Sequence, residues 1–206
     1  GDAPLALLYL GLDRARMGDT DAGLACFDLF ESRHPDSRRM GNLPWYRGSV
    51  LADAGRWEES IPHFRRTLQL YPGNVTADDA HLHLCLALME TGRREEAVEE
   101  LERFTRRWSR SVYRDAARYW LGRLRLERGL PGGREELEGL VSDSPHSLPA
   151  SYARRLMGLP AWRPEYTDEP LEAWMSRNGL EPAGPSPAAL RGKVLVAAGL
   201  RSWGVA

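Results

Sequence analysis

The chain has 206 residues, 42% hydrophobic and 28% charged, with 28 basic against 29 acidic side chains and a formal net charge of -1. That composition suits a folded chain rather than a disordered one, and it offers no net field for nucleic acid or an anionic membrane surface. No run reaches the ~18 consecutive apolar residues that a membrane span needs, and two cysteines are too few for a disulfide scaffold.

Leu, Ala, Arg and Glu dominate, and Ile61 is the only isoleucine, so helices are well supplied and strands poorly. Arginine outnumbers lysine 27 to 1, a skew that fits a GC-rich genome better than selection for phosphate binding.

In LLYLGLDRARMGDTDAGLACFDLFESRHP apolar residues recur at helical spacing on both sides of Gly18, which predicts a first and a second helix, with Pro35 closing the unit. Gly18 supplies the positive φ that ends the first, and Asp19 suits the start of the second. Gly11 lies inside the first helix, where glycine costs ~1 kcal/mol against alanine. A small residue there lets the second helix approach closely. Gly23 is the matching small position on the second helix, and Phe27 fills the space one turn later.

The next pair repeats this with Gly48, Gly55, Ser60, Phe64 and Pro72. Pro62 falls within its second helix and predicts a lost hydrogen bond and a slight bend. The third pair has Cys85, Gly92, Ala97 and Leu101, with Ser109 where proline is expected. The fourth has Gly122 and Gly129, then LPGGREELEG, so its second helix is expected to be short. The glycines at 18, 55, 92 and 129 are 37 residues apart, and the small residues at 11, 48, 85 and 122 keep the same period. The fold class is therefore all-α: an α-solenoid of four helix-turn-helix repeats over residues 1–146.

After residue 146 the register breaks. SLPASYARRLMGLP predicts one short helix ended by Gly158 and Pro160, and PLEAWMSRN a further helix between proline-rich connections. ALRGKVLVAAGLRSWGVA then restores the glycine pair at Gly192 and Gly199, with Gly204 at the small position. Residues 147–206 read as an irregular proline-rich helical segment plus the start of a further repeat, cut in mid-helix as an excerpt of a longer protein would be.

A small residue, a glycine seven later, a second small residue, an aromatic four later and then proline resembles the tetratricopeptide repeat, most clearly in WYRGSVLADAGRWEESIPHFRRTLQLYP. The usual repeat is ~34 residues, and the extra three fall between the proline and the next helix. The linkers HPDSRRMGN, YPGNVTADD and WSRSVYRDA resemble those of bacterial envelope repeat proteins. Ser151, Tyr152, Ala153, Arg155, Leu156, Gly158 and Leu159, with the later Gly192–Gly199 pair, resemble the superhelical domain of soluble lytic murein transglycosylases. That resemblance implies an open solenoid in the periplasm, ahead of a lysozyme-like domain that cleaves peptidoglycan with one glutamate. Glu90, in LALMETG, sits at a repeat turn beside a threonine, so no catalytic residue carries over. This chain is expected to be non-catalytic and to need no cofactor. GDAPLALLYLGLDR shows no basic leader or cleavage site, so an envelope location rests on the resemblance, with a cytoplasmic peptide-binding protein as the alternative.

Other constellations read as packing. His81 and Cys85 share an inward helical face while His83 points away, which leaves too few convergent ligands for zinc. Cys26 and Cys85 lie two repeats apart, beyond disulfide reach, and are expected to be buried thiols. RREEAVEELERFTRRW reads as a solvated face, and Trp57 and Trp120 as core.

In tetratricopeptide arrays the first helix of each repeat lines a concave groove. The corresponding positions here are Leu8, Leu12 and Arg16, then Asn42, Trp45, Ser49 and Asp53. Leu82, Leu86, Met89 and Glu90 follow, then Tyr119, Arg123, Leu126 and Glu127. The groove is expected to be apolar at one end and dotted with single charges, without the lysine–asparagine clamp of chaperone-binding repeats. Its candidate binding residues are Asn42, Trp45, Ser49, Asp53, Glu90, Tyr119, Arg123 and Glu127, facing a protein or peptide partner or peptidoglycan. No metal site and no nucleic-acid partner are expected. The functional expectation is a scaffold of the cell envelope, the superhelical region of a lytic-transglycosylase-like protein. The alternative is an adaptor similar to outer-membrane assembly or Tol–Pal accessory proteins.

Overall fold

A computed structural model describes residues 3–161. Its helices pair as α1 (Ala3–Arg16) with α2 (Thr20–Arg33), α3 (Leu43–Asp53) with α4 (Trp57–Leu70), and α5 (Ala77–Glu90) with α6 (Arg94–Arg107). A fourth pair, α7 (Arg114–Glu127) and α8 (Gly133–Asp143), is followed by α9 (Leu148–Leu156). The described residues form an all-α solenoid without a strand. The predicted helix PLEAWMSRN and the returning glycine pair at Gly192 and Gly199 lie outside them.

Each repeat turns by the same chemistry. Gly18, Gly55, Gly92 and Gly129 have φ of +89°, +74°, +75° and +64°. The following residue's N–H reaches back five residues, as in Asp19 to the Arg14 carbonyl (3.0 Å) and Arg56 to Leu51 (2.8 Å). This left-handed cap satisfies carbonyls that the helix end would leave bare. In the first repeat the Asp19 carboxylate also accepts from the Ala22 N–H at 3.2 Å, capping α2.

The glycines inside the first helices set the spacing of each pair. A Cβ built on Gly11 would lie 2.5 Å from the Phe27 ring, one on Gly48 2.7 Å from Phe64, and one on Gly122 2.7 Å from Leu137. Phe27 and Phe64 are wholly buried, so the rings occupy the volume that the missing side chains release.

The second helices end alike. His34, Tyr71, Trp108 and Ser144 each donate their N–H to the carbonyl four residues back. Proline follows three of these residues, but Ser109 follows Trp108, whose φ of -107° and ψ of 47° nonetheless match its counterparts. The Trp108 indole N–H bonds to His81 Nδ1 at 2.9 Å. A side-chain anchor there does what proline does elsewhere by excluding helical geometry from the preceding residue. Pro62 sits inside α4, which continues through it to Leu70.

The fourth pair departs as its sequence predicts. Its second helix has 11 residues against 14 in the other three pairs. Gly133 rather than Arg134 makes the close approach, and Leu137 rather than Glu138 fills the core, a slip of one residue against the 37-residue period.

Three buried clusters follow one another along the stack: α1 to α3 through Phe27 and Leu43, α3 to α7 through Phe64, Leu86 and Leu121, and α7 to α9 through Leu137 and Ala153. Outside the core, Arg56 pairs with Asp21 and Arg93 with Glu58, each one repeat back. Such exposed pairs are screened by solvent and add little to stability. Both cysteines are free, but Cys26 is only half-buried, contrary to expectation, because it sits on a flank of α2 rather than on its inner stripe. Cys85 is fully buried, and that burial pushes its thiol pKa well up.

Candidate functional site

The first helices of adjacent repeats touch, α1 with α3, α3 with α5 and α7 with α9, so they line one side of the stack. The last turn of each first helix brings Arg16, Asp53, Glu90 and Glu127 to the surface in one row on the 37-residue period. Within this row the charge of Arg16 reaches Asp53 in the next repeat. Burial raises the Asp53 pKa, while the charges of His83 and Arg16 oppose that rise.

His83 is central to this face. Its Nδ1 lies 3.0 Å from the Asp79 carboxylate and 3.0 Å from the Asp79 carbonyl, and its ring lies 5.6 Å from that of Phe64. Burial pulls the His83 pKa down, but the hydrogen bond and charge of Asp79 pull it up further, so the net shift is upward. Neither Asp79 nor His83 stood among the sequence candidates. The signal was the period: His83 is the repeat equivalent of Tyr46 and Trp120, all ring-bearing.

Trp45 and Ser49 lie one turn apart on α3. Trp45 is half-buried, with its ring 5.1 Å from Tyr46. Its Nε1 and the Ser49 Oγ are both shielded from solvent, and neither has a hydrogen-bond partner among the described residues. Asn42, one turn before Trp45, is engaged within the fold: its Oδ1 accepts from the Asn74 amide at 2.7 Å and ties the α4–α5 linker to α3.

At the far end Tyr119 packs 5.3 Å from Trp120 and 5.8 Å from Tyr152 on α9. Arg123 stacks over Trp120 at 5.2 Å and pairs with Glu127 at 2.7 Å. Tyr119, Arg123 and Glu127 therefore form one cluster, which the sequence reading left without Tyr152.

One expectation is corrected. Leu8, Leu82 and Leu86 are 2%, 0% and 2% exposed, so the face is not apolar at those positions. Each of these leucines is buried, and what remains open is polar and aromatic with Leu126, which is 40% exposed. His81 is 4% exposed and bonded to Glu100 and Trp108. Among the described residues no cluster of three or more His, Cys, Asp or Glu could hold a metal ion, and no helix is long and apolar enough to cross a membrane.

Paired antiparallel helices with a glycine turn, stacked on a fixed period with a lined inner face, define a helical-repeat solenoid. A family model described as Tetratricopeptide repeat matches residues 8–75 and 84–133, and a second of the same description matches residues 51–107. The chain belongs to the tetratricopeptide repeat family. Among solved structures it is similar to a tetratricopeptide repeat protein from Parabacteroides merdae ATCC 43184, at 15% identity over 99% of this chain and 77% of that one (TM-score 0.62). It is also similar to MamA from Desulfovibrio magneticus RS-1, at 16% identity over 77% and 87% of the two chains (TM-score 0.58). YrrB, described as a TPR protein with an unusual peptide-binding site, matches at 16% identity over 86% of each (TM-score 0.53). Likeness at these identities shows the fold alone. No curated protein matches the sequence.

Proposed function

We propose that the inner face seats an extended segment of a protein partner, laid across α3 between Asn42 and Asp53. One observation carries the reading. Trp45 Nε1 and Ser49 Oγ are buried without partners, whereas native proteins pair nearly all such groups. An unmade buried hydrogen bond costs ~1–3 kcal/mol, a cost that a main-chain carbonyl of a bound segment removes. Asp53, Glu90 and Asp79 favour basic side chains beside that carbonyl.

The test separates stability from binding. Ser49→Ala and Trp45→Phe remove the unpaired groups, so urea denaturation is expected to show equal or greater stability, by up to ~1 kcal/mol. Affinity for a partner captured by the full chain is expected to fall at least tenfold. Unchanged affinity in both variants rejects the assignment.

A second reading follows from the α9 motif: the superhelical region of a lytic-transglycosylase-like envelope protein, holding peptidoglycan. The rings of Tyr119, Trp120 and Tyr152 favour it, because sugar rings stack on aromatic faces. It predicts sedimentation with purified sacculi that Tyr119→Ala with Tyr152→Ala abolishes. A chain that stays in the supernatant removes this reading, and with it the reason for a periplasmic location.

A further inference from the structure

The α9 end of the stack differs from the repeats before it. α9 has 9 residues against 14 in α7, on which it packs, and Gly158, at φ +71°, ends it two residues before Pro160. A helix shorter by roughly 7 Å cannot cover the whole length of its neighbour. Leu126 and Leu130, at the end of α7, are 40% and 39% exposed, and Leu156 and Leu159, at the end of α9, are 46% and 37% exposed. Earlier repeats carry Ala15, Ala52 and Met89 in place of Leu126, and Asp19, Arg56 and Arg93 in place of Leu130. Four open leucines thus gather where a repeat array needs a cover that turns a polar face to water.

The same end carries unanswered positive charge. Arg154 and Arg155 stand in the last turn of α9, and neither forms an ion pair among the described residues. The Arg154 Nε is shielded from solvent without a hydrogen-bond partner, a costly arrangement for a charged donor. The chain itself holds a segment that matches both features. In residues 170–178, PLEAWMSRN, the side chains Leu171, Trp174 and Met175 recur at helical spacing, and Asp168, Glu169 and Glu172 lie at the start of that stretch. The connection from Pro160 to Pro170 reaches up to about 33 Å when extended, more than the roughly 21 Å length of α7.

We propose that the open leucines of α7 and α9 are the docking surface for this chain's own residues 168–178. Leu171, Trp174 and Met175 would cover Leu126, Leu130, Leu156 and Leu159, while the carboxylates of Asp168, Glu169 and Glu172 would meet Arg154 and Arg155. Guanidinium forks match carboxylates in bidentate geometry. The tether favours this occupant over a second copy of the chain, because it supplies the segment at high effective concentration. The proposal does not depend on the inner-face reading.

Amide hydrogen exchange of the full chain, read by mass spectrometry, tests it. Residues 170–178 are expected to exchange at least tenfold more slowly than in a free synthetic peptide spanning 165–180. Leu126→Glu with Leu156→Glu is expected to abolish that protection while α3 to α6 keep their rates, which verifies that the solenoid stays folded. Arg154→Gln with Arg155→Gln is expected to reduce it at least threefold. Exchange at the free-peptide rate in the unaltered chain overturns the proposal, as does protection that survives the leucine changes. Protection that grows with protein concentration, together with a dimer by light scattering, gives the surface to a second copy and overturns it too.

Discussion

The third and fourth repeats do the same internal job with residues displaced by one. In the third, His81 on α5 is buried and bonds to Glu100 on α6. In the fourth, its counterpart Arg118 on α7 is buried and bonds to Glu136 at 2.6 Å, where the strict period would use position 137. Leu137 takes the core place that Leu101 holds in the third, and Gly133 the close approach that Ala97 holds. The slip carries core, polar pair and contact glycine together. What is preserved is therefore the geometry of the pair and not the count of residues around the turn.

The sharpest way to break this comparison is to fill the slipped contact. A Cβ on Gly133 would lie 2.8 Å from the Leu126 nitrogen, 2.9 Å from Arg125 Cβ and 3.0 Å from the Gly122 carbonyl oxygen. Main-chain atoms within a helix cannot yield as a side-chain tip can. Gly133→Ala is expected to cost about 3 kcal/mol in urea denaturation, the upper end for overpacking. Arg134→Ala, at the unslipped position, is expected to stay within about 0.5 kcal/mol. Equal effects at the two sites would remove the slip.

The second repeat offers a smaller test. Gly48→Ala gains ~1 kcal/mol of helix propensity but drives its methyl into the buried Phe64 ring, for an expected net loss of about 1–2 kcal/mol. The third repeat shows the relieved arrangement, since Cys85 faces the position of Leu101 and both are wholly buried. In a Phe64→Leu background, Gly48→Ala is therefore expected to become neutral or stabilising. A loss that persists there would show that the ring is not what excludes the methyl.

These contacts explain how far the sequence could be read. A helix pair that packs at glycine distance leaves residue types visible at fixed spacing, so Gly11, Gly48 and Gly122, and the turn glycines after them, exposed the fold. The row of Arg16, Asp53, Glu90 and Glu127 was legible for the same reason. The one-residue slip was not, because LPGGREELEG places two glycines where either could serve. Burial of Leu8, Leu82 and Leu86 depends on packing against other helices, which periodicity within one helix does not report. The polar centre of the third repeat was not legible either. Its network joins Trp108 to His81 and His81 to Glu100 across 27 and 19 residues, spacings with no local signature.

The smallest expected effect concerns that network and restores the contrast between the two repeats. Arg118 keeps its charge at every accessible pH, whereas the third repeat rests on a carboxylate and an imidazole. The hydrogen bond from His81 holds the Glu100 carboxyl below its ordinary 4.5, burial pulls the other way, and the Arg103 charge adds to the lowering. A depressed carboxyl contributes stability that is complete above the unfolded value and is lost as pH falls through the folded one. The third repeat should therefore lose this contribution below pH 4.5, by protonation of Glu100. Glu100→Gln still accepts from His81 but cannot titrate. Its stability deficit against the unaltered chain, measured by denaturation at pH 7 and again near pH 3, is expected to be larger at pH 7 and to shrink on acidification. A deficit constant across that range would mean that Glu100 supports Trp108 through geometry alone, as a fixed charge pair supports the fourth repeat.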